Sequence, residues 1–360
     1  MRWKQKPDEI VAGDHKRIPN RKNRKTTMQE SSLWRRVPRG ALWAAAVGLA
    51  LWGGAAQAVF PDKPVTIIVP TPAGGPVDRV SRAYATELQQ MLGQPTVIDN
   101  RIGAAGKIGV QAALRAPRDG YTLIAVSPSI VTVNPVLDKD PGFDPQKDLV
   151  PIGIGAQSAG VVAARAGLPV ANMAELVEYA RARPDQLTYA SFGIGTSLHL
   201  HSEELSQALG IRLRHIPYKG ESQAMNALVA GEVDLMLYVT STVVQFVKNG
   251  RVKALAATAG RRWSELPDVP SFAESGVPEL KGYSYHSWVG FVAPKGLTDD
   301  VLRKLRQGFA AVLAKPEFRR NVELQGFDPG DMSPVNMQQT IERELTRNRR
   351  LVESGRVRLE

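Results

Sequence analysis

The sequence predicts an α/β protein built from two similar units. From Val65 to Val126, short β-branched apolar segments alternate with stretches of helical periodicity, and the same alternation resumes at Thr188. Each unit also contains a glycine-rich turn between a strand and a helix, at residues 72–75 and 191–199. This order favours parallel strands joined by right-handed crossovers, in which ligands bind beyond the carboxyl ends of the strands.

The first unit begins with a clear strand and helix. Residues 65–69 (VTIIV) are β-branched and bounded by prolines, which is typical of a buried strand. Apolar residues then recur at helical spacing from Val77 to Met91. The pattern continues with a strand at 96–98, a helix at 108–116 and a strand at 121–126, and then a connection rich in proline and aspartate at 134–151.

The second unit starts with a strand over 152–164 that glycines interrupt, followed by a helix over 172–183. Asn172 and Glu175 have the spacing of a capping box, which marks the start of that helix. Further strands are predicted at 188–190, 212–217, 233–239, 253–258 and 287–293. Further helices are predicted from the second glycine-rich turn to 209 and at 223–230, 242–248, 298–314 and 334–350.

The turn Pro72-Ala73-Gly74-Gly75 is the strongest functional signal in the residues themselves. Adjacent glycines let a ligand approach the backbone closely, and the free N–H groups at the start of the following helix favour an anion. The alternative is an ordinary tight βα turn. A cleft between two units that each carry such a turn could hold one small ligand between two helix N-termini.

The N-terminal 58 residues read as a basic leader that ends in a secretory signal peptide. Arg35, Arg36 and Arg39 precede an apolar run over 41–53, which is short for a membrane span, and Ala56-Gln57-Ala58 has the small-x-small pattern of a cleavage site. We expect the true start of the chain at Met28, where a signal peptide would begin. We therefore expect an exported protein, soluble in the periplasm.

Charge and cysteine content exclude several classes of function. The formal net charge is +11, but residues 1–58 hold 12 Lys+Arg against 4 Asp+Glu, so the remainder is only about +3. This argues against a nucleic-acid partner. The sequence has no cysteine, which excludes disulfides, thiolate catalysis, zinc–thiolate sites and attachment of a lipid through cysteine.

A series of short motifs runs along residues 60–352. They are Pro72-Ala73-Gly74-Gly75 with Asp78, Asp99-Asn100-Arg101, Pro117-Arg118-Asp119-Gly120-Tyr121-Thr122, Tyr189-Ala190-Ser191 leading to Thr196-Ser197-x-His199, His215-Ile216-Pro217-Tyr218-Lys219-Gly220 and Leu266-Pro267-Asp268-Val269-Pro270. In these motifs and in their order, the sequence resembles the periplasmic solute-binding receptors of tripartite tricarboxylate transporters, the Bug family.

The resemblance implies a two-domain, type II-like periplasmic-binding-protein architecture that closes around its ligand. Domain 1 would comprise residues 59–157 and 285–360, and domain 2 residues 158–284. The implied function is to capture a small carboxylate and deliver it to membrane transporter subunits. The implied receptor is monomeric, is not an enzyme and needs neither cofactor nor metal.

Ligand-binding residues are carried over from the family position by position. They are Ala73, Gly74, Gly75, Ser127, Ser129, Thr196, Ser197, His199 and Tyr238. The family often has Phe-Asp-Asn where this sequence reads Leu237-Tyr238-Val239, and Phe at the position of Thr71. A tyrosine offers an apolar ring and one hydroxyl in place of a carboxylate, so we expect a ligand with less polar decoration at that end.

Three alternatives remain. A sensor that signals ligand occupancy to a membrane kinase would use the same closing receptor. A hydrolase would need one of Ser127, Ser191 or Ser197 as nucleophile, but none lies in a Gly-x-Ser-x-Gly elbow. A metal site at His199 and His201 is disfavoured, since residues two apart do not share a helix face.

Overall fold

The computed structural model describes residues 60–239, 243–263, 265–355 and 357. The leader, the signal peptide, the cleavage site and the start at Met28 predicted above lie outside the described residues. Across the described part of the chain, no helix has both the length and the apolar character needed to cross a membrane.

The first lobe is a six-stranded sheet with helices on both faces. Its strands are β1 (Val65–Val69), β2 (Thr96–Asn100), β3 (Thr122–Val126), β4 (Leu149–Ser158), β10 (Ser287–Pro294) and β11 (Asp328–Asp331), in the order β11-β4-β10-β3-β1-β2. Its helices are α1 (Pro76–Leu92), α2 (Lys107–Arg115), α3 (Asn134–Leu137), α8 (Asp299–Ala314), α9 (Pro316–Leu324) and α10 (Pro334–Glu353). A π-helical turn, Ser129–Val133, precedes α3.

The second lobe is a five-stranded sheet, again covered on both faces. Its strands are β5 (Val161–Arg165), β6 (Thr188–Ser191), β7 (Arg214–Pro217), β8 (Leu235–Val239) and β9 (Val252–Ala257), in the order β7-β6-β8-β5-β9. Its helices are α4 (Met173–Arg181), α5 (Ser197–Ala208), α6 (Glu221–Ala230) and α7 (Val244–Lys248). The predicted cap is present, because the Asn172 side chain accepts a hydrogen bond from the Glu175 amide at 2.9 Å.

Strand alternation directs apolar side chains to both faces of each sheet. In β1, Ile67 packs with Tyr84 of α1 and Phe309 of α8, whereas the neighbouring Ile68 packs with Val110 of α2 and Ile341 of α10. The second lobe repeats this arrangement, with α4 on one face and α6 on the other. The fold class predicted from the sequence, α/β with two sheets, is confirmed.

The sheets are mixed, so the expectation of parallel strands holds for only part of each. In the first sheet β1 pairs in parallel with β2 and β3, but β10 runs antiparallel to β3 and β4. The predicted strand over 152–164 is two strands in different sheets. The predicted connection over 134–151 contains α3, and the sequence reading missed α9 and β11.

Two segments connect the lobes. The chain passes from β4 to β5 through Ala159 and Gly160, and it returns after β9 by a longer path that ends at β10. Thr258 ties these segments together, since its hydroxyl donates to the Tyr285 carbonyl and accepts from the Gly160 amide.

Candidate functional site

A cavity of about 610 Å³ lies between the two lobes. The first lobe contributes the turn before α1, residues at the carboxyl end of β3, and the start of β10. The second lobe contributes the turn before α5, the first residue of α6, and β8. The cavity therefore lies beyond strand ends, where α/β sheets generally bind ligands.

The turn before α1 is held by the buried carboxylate of Asp78. The Gly74 amide donates to Asp78 Oδ2 at 2.8 Å, Arg82 Nε donates to the same oxygen at 2.9 Å, and Asn100 Nδ2 donates to Oδ1 at 2.9 Å. Burial opposes charge on Asp78, but these three donors outweigh it and lower the pKa of the carboxyl. Asp78 is thus a positioning residue for the glycine turn.

The glycines suit the backbone at this turn. Gly74 has a φ of +80°, which is strained for other residues, and a Cβ on Gly75 would lie 3.3 Å from the Pro72 carbonyl oxygen. Gly75 is the N-cap of α1 with no side-chain cap, and the following Pro76 has no N–H. The turn therefore presents backbone rather than side chains to the cavity.

The turn before α5 faces the cavity from the second lobe. The Thr196 hydroxyl donates to the Gly193 carbonyl at 2.8 Å and accepts from the His199 amide at 3.3 Å, so it caps the helix. The Gly195 amide donates to His199 Nδ1 at 3.2 Å. The structure thus gives the Thr196 hydroxyl and the His199 ring internal roles in shaping the turn.

A hydrogen bond between two serines joins the lobes across the cavity. Ser129 Oγ, at the start of the π-helical turn, donates to Ser197 Oγ, the first residue of α5, at 3.1 Å. Both residues line the cavity, as does Ser127 at the end of β3. Three hydroxyls and two helix starts therefore converge on one region, which can solvate an anion without a carboxylate-binding arginine pair.

Most of the remaining wall is apolar. Phe192 and Leu198 lie on the second-lobe side, and Val77, Val289 and Phe327 on the first-lobe side. Trp288 also lines the cavity, and its Nε1 donates to Glu344 Oε1 of α10 at 2.9 Å. Burial raises the pKa of Glu344.

Tyr238 contributes its ring but not a free hydroxyl. Its hydroxyl donates to the Ser158 carbonyl and accepts from the Ser287 amide at 3.2 Å. Ser158 ends β4 and Ser287 begins β10, and these two strands of the first lobe adjoin the segments that connect the lobes. This tyrosine therefore ties β8 to both connecting strands while its ring lines the cavity.

The model of the tripartite tricarboxylate transporter family receptor matches residues 80–356 of this chain. The chain belongs to this family. The curated protein BugT of Bordetella pertussis is similar, at 30% identity over 289 residues, covering 80% of this chain and 88% of that protein.

Solved structures of similar receptors agree with the fold. An R. palustris protein with adipate has a TM-score of 0.69 and 32% identity, covering 82% of this chain and 97% of that one. MatC from Rhodopseudomonas palustris, with bound malate, has a TM-score of 0.66 and 29% identity, covering 81% and 100%. The matching family is a receptor family, and another solved relative is named as the periplasmic binding protein BugD, so this chain is a receptor and not an enzyme, as predicted.

Most of the predicted ligand-binding residues lie together in this receptor. Seven line the cavity: Gly74, Gly75, Ser127, Ser129, Thr196, Ser197 and Tyr238. Ala73 and His199 do not. The His199 ring stacks on His215 with centroids 4.0 Å apart, and burial lowers the pKa of His199 to about 4, so the ring is neutral at pH 7.

Sequence reasoning left most of the other wall residues unassigned, and three of them could contribute polar or charged groups. Thr71, Arg79 and Glu221 line the cavity, and the buried Thr71 hydroxyl has no hydrogen-bond partner within the described residues. The threonine at position 71, where the family often has phenylalanine, is the sequence signal that could have placed this residue in the site. Arg79 and Glu221 follow turns and carried no such signal.

The structure does assemble one serine–histidine pair. Ser191 Oγ lies 2.6 Å from His215 Nε2, but Ser191 is fully buried and does not line the cavity. Its hydroxyl also lies 3.1 Å from the Gly193 carbonyl, to which it donates. The pair shapes the turn before α5. Within the described residues, no group of three or more His, Cys, Asp or Glu is placed to hold a metal.

Proposed function

We propose that this receptor captures a small carboxylate between its lobes and delivers it to the membrane subunits of a tripartite transporter. The observation that carries the proposal is that the strand-to-helix turns before α1 and α5 face one cavity, which the Ser129–Ser197 hydrogen bond spans. The solved family members that hold adipate and malate support carboxylates as the ligand class.

In this proposal the carboxylate lies against the backbone of Gly74 and Gly75, with Ser127, Ser129 and Ser197 as hydroxyl partners. Thr196 and His199 act through the turn that they shape. The two lobes, with domain boundaries near residues 158 and 285, close by a hinge motion that excludes water and strengthens these hydrogen bonds.

We further propose that the signal peptide exports the protein, and that it works as a monomer in the periplasm without a cofactor. Two solved relatives are named as periplasmic, one as a transporter and one as the binding protein BugD, which supports this location. Delivery to a transporter rests on family membership.

A thermal-shift screen of the purified protein against mono-, di- and tricarboxylates, amino acids and aromatic acids tests the proposal. A ligand at 100 times its dissociation constant stabilises the folded state by about 2.7 kcal/mol. Trp288 lines the cavity, so ligand should also change its fluorescence, and Trp288→Phe should remove that change.

The matched variants are Gly75→Val and Gly260→Val. A side chain at Gly75 enters the anion-binding turn, whereas a Cβ at Gly260, outside the cavity lining, meets open space. We expect the first to abolish the ligand-induced shift and the second to keep it. Wild-type affinity in Gly75→Val would contradict the placement of the site, and failure of every acid in the panel would contradict the carboxylate ligand.

A further inference from the structure

The second-lobe wall of the cavity carries a negative charge as well as apolar surface. Glu221, the first residue of α6, lines it beside Tyr238. Burial raises the pKa of Tyr238 to about 12, and the charges of Glu221 and Asp328 add to the rise. The negative potential of Glu221 therefore reaches the tyrosine that forms this wall.

The positive charge in the cavity wall lies on the other lobe. Within the described residues, Arg79 and Glu221 are the charged residues of the lining. Arg79 follows Gly75 by about one turn of α1, and its guanidinium lies 5.4 Å from the centre of the Phe327 ring. The charges are thus divided between the lobes, with Arg79 on the helix of the proposed carboxylate site and Glu221 across from it.

Apart from the turn before α5, which the proposed function assigns to the first carboxylate, the second-lobe side chains of the lining give a second carboxylate little compensation. Phe192 and Leu198 are apolar, and the hydroxyl of Tyr238 is used by Ser158 and Ser287. A ligand carboxylate placed there would meet a like charge and would lose its hydration without gaining donors from these side chains.

We propose that the ligand is a monocarboxylate with an uncharged apolar body, and that Glu221 excludes acids whose second carboxylate would reach α6. This inference rests on the proposed function, because it takes the first carboxylate to bind at the glycine turn. Two like charges about 6 Å apart at an effective dielectric constant of about 20 lower affinity by about 100-fold, and salt reduces this factor.

Three six-carbon acids that differ only at the far end test the charge at this wall. Hexanoate ends in a methyl group, adipate in a carboxylate and 6-aminohexanoate in an ammonium group. Calorimetry with the purified protein should show hexanoate binding at least ten times more tightly than adipate. Benzoate and terephthalate form a second, aromatic pair for which we expect the same order.

Glu221→Gln keeps the size of the side chain and removes its charge. We expect adipate to gain at least tenfold in affinity in this variant, while the affinity for hexanoate changes far less. Arg79→Gln is the matched control on the first lobe, and it should weaken both acids by a similar factor.

Several results would overturn the inference. One is that adipate binds the wild type as tightly as hexanoate does. Another is that the ratio of the affinities for adipate and hexanoate is the same in Glu221→Gln as in the wild type. Tightest binding of 6-aminohexanoate, lost in Glu221→Gln, would instead assign Glu221 to a ligand ammonium group. Preference for di- or tricarboxylates contradicts this inference alone, whereas failure of every acid in the thermal-shift panel contradicts the proposed function.

Discussion

Replacing Tyr238 by phenylalanine should destabilise the protein far more than the loss of one oxygen atom suggests. The hydroxyl is buried. It donates a hydrogen bond to the Ser158 carbonyl and accepts one from the Ser287 amide. Phenylalanine keeps the ring in the cavity wall but leaves these backbone groups without their partner.

The magnitude follows from the cost of unpaired buried groups. Each buried donor or acceptor left unsatisfied costs about 1–3 kcal/mol, so the two together should lower the free energy of unfolding by about 2–6 kcal/mol. At about 2 °C per kcal/mol for a chain of this size, the melting temperature should fall by roughly 4–12 °C.

Urea unfolding and calorimetric melting of the wild type and Tyr238→Phe measure this effect. Tyr179→Phe is the control, because the Tyr179 hydroxyl makes no hydrogen bond in the described part of the chain and its ring stays under Arg183. The control should lie within about 0.5 kcal/mol of the wild type. A similarly small change in Tyr238→Phe would refute the bridging role of this hydroxyl.

Two further predictions concern the glycine-rich turns. Asp78→Asn should lower the free energy of unfolding at pH 7 by about 2–4 kcal/mol, since the charge-assisted bonds of this carboxylate are lost. Because the pKa of Asp78 is lowered in the folded state, its contribution is present above the unfolded value near 4 and disappears as pH falls through the folded value. Urea unfolding from pH 7 to pH 3 should show the wild-type advantage shrinking, and a constant difference would contradict this. Thr196→Val should cost about 1 kcal/mol through the lost helix cap, seen as a lower melting temperature, and an unchanged value would argue against the capping role.

The elements that could be predicted from the sequence are those whose signals come from residues close together in the chain. The β-branched run of β1, the periodicity of α1 and the capping residues of α4 each depend on near neighbours, and all three are present as expected. Convergence of Gly74, Ser127 and Ser197 on one cavity followed from the rule that ligands bind beyond strand ends.

What sequence reasoning missed depends on contacts between distant residues. The short strand β11 reads DPGD and has no strand character of its own, and it exists because it pairs with β4. The split of residues 152–164 between two sheets was equally hidden, since both strands are apolar. The hydroxyl of Tyr238 is not available to a ligand because it bonds Ser158 and Ser287, which are 80 and 49 positions away in the sequence.

The strands that connect the lobes are also part of the cavity wall. Gln157 and Ser158 at the end of β4, and Ser287 and Trp288 at the start of β10, all line it. In the proposed hinge motion these residues belong to both the pocket and the hinge, so a substitution that reshapes the pocket there should also change the energy of lobe closure. We expect ligand preference in this receptor to evolve more readily through Phe192, on the far wall, than through the shared positions, because a change there leaves the hinge intact.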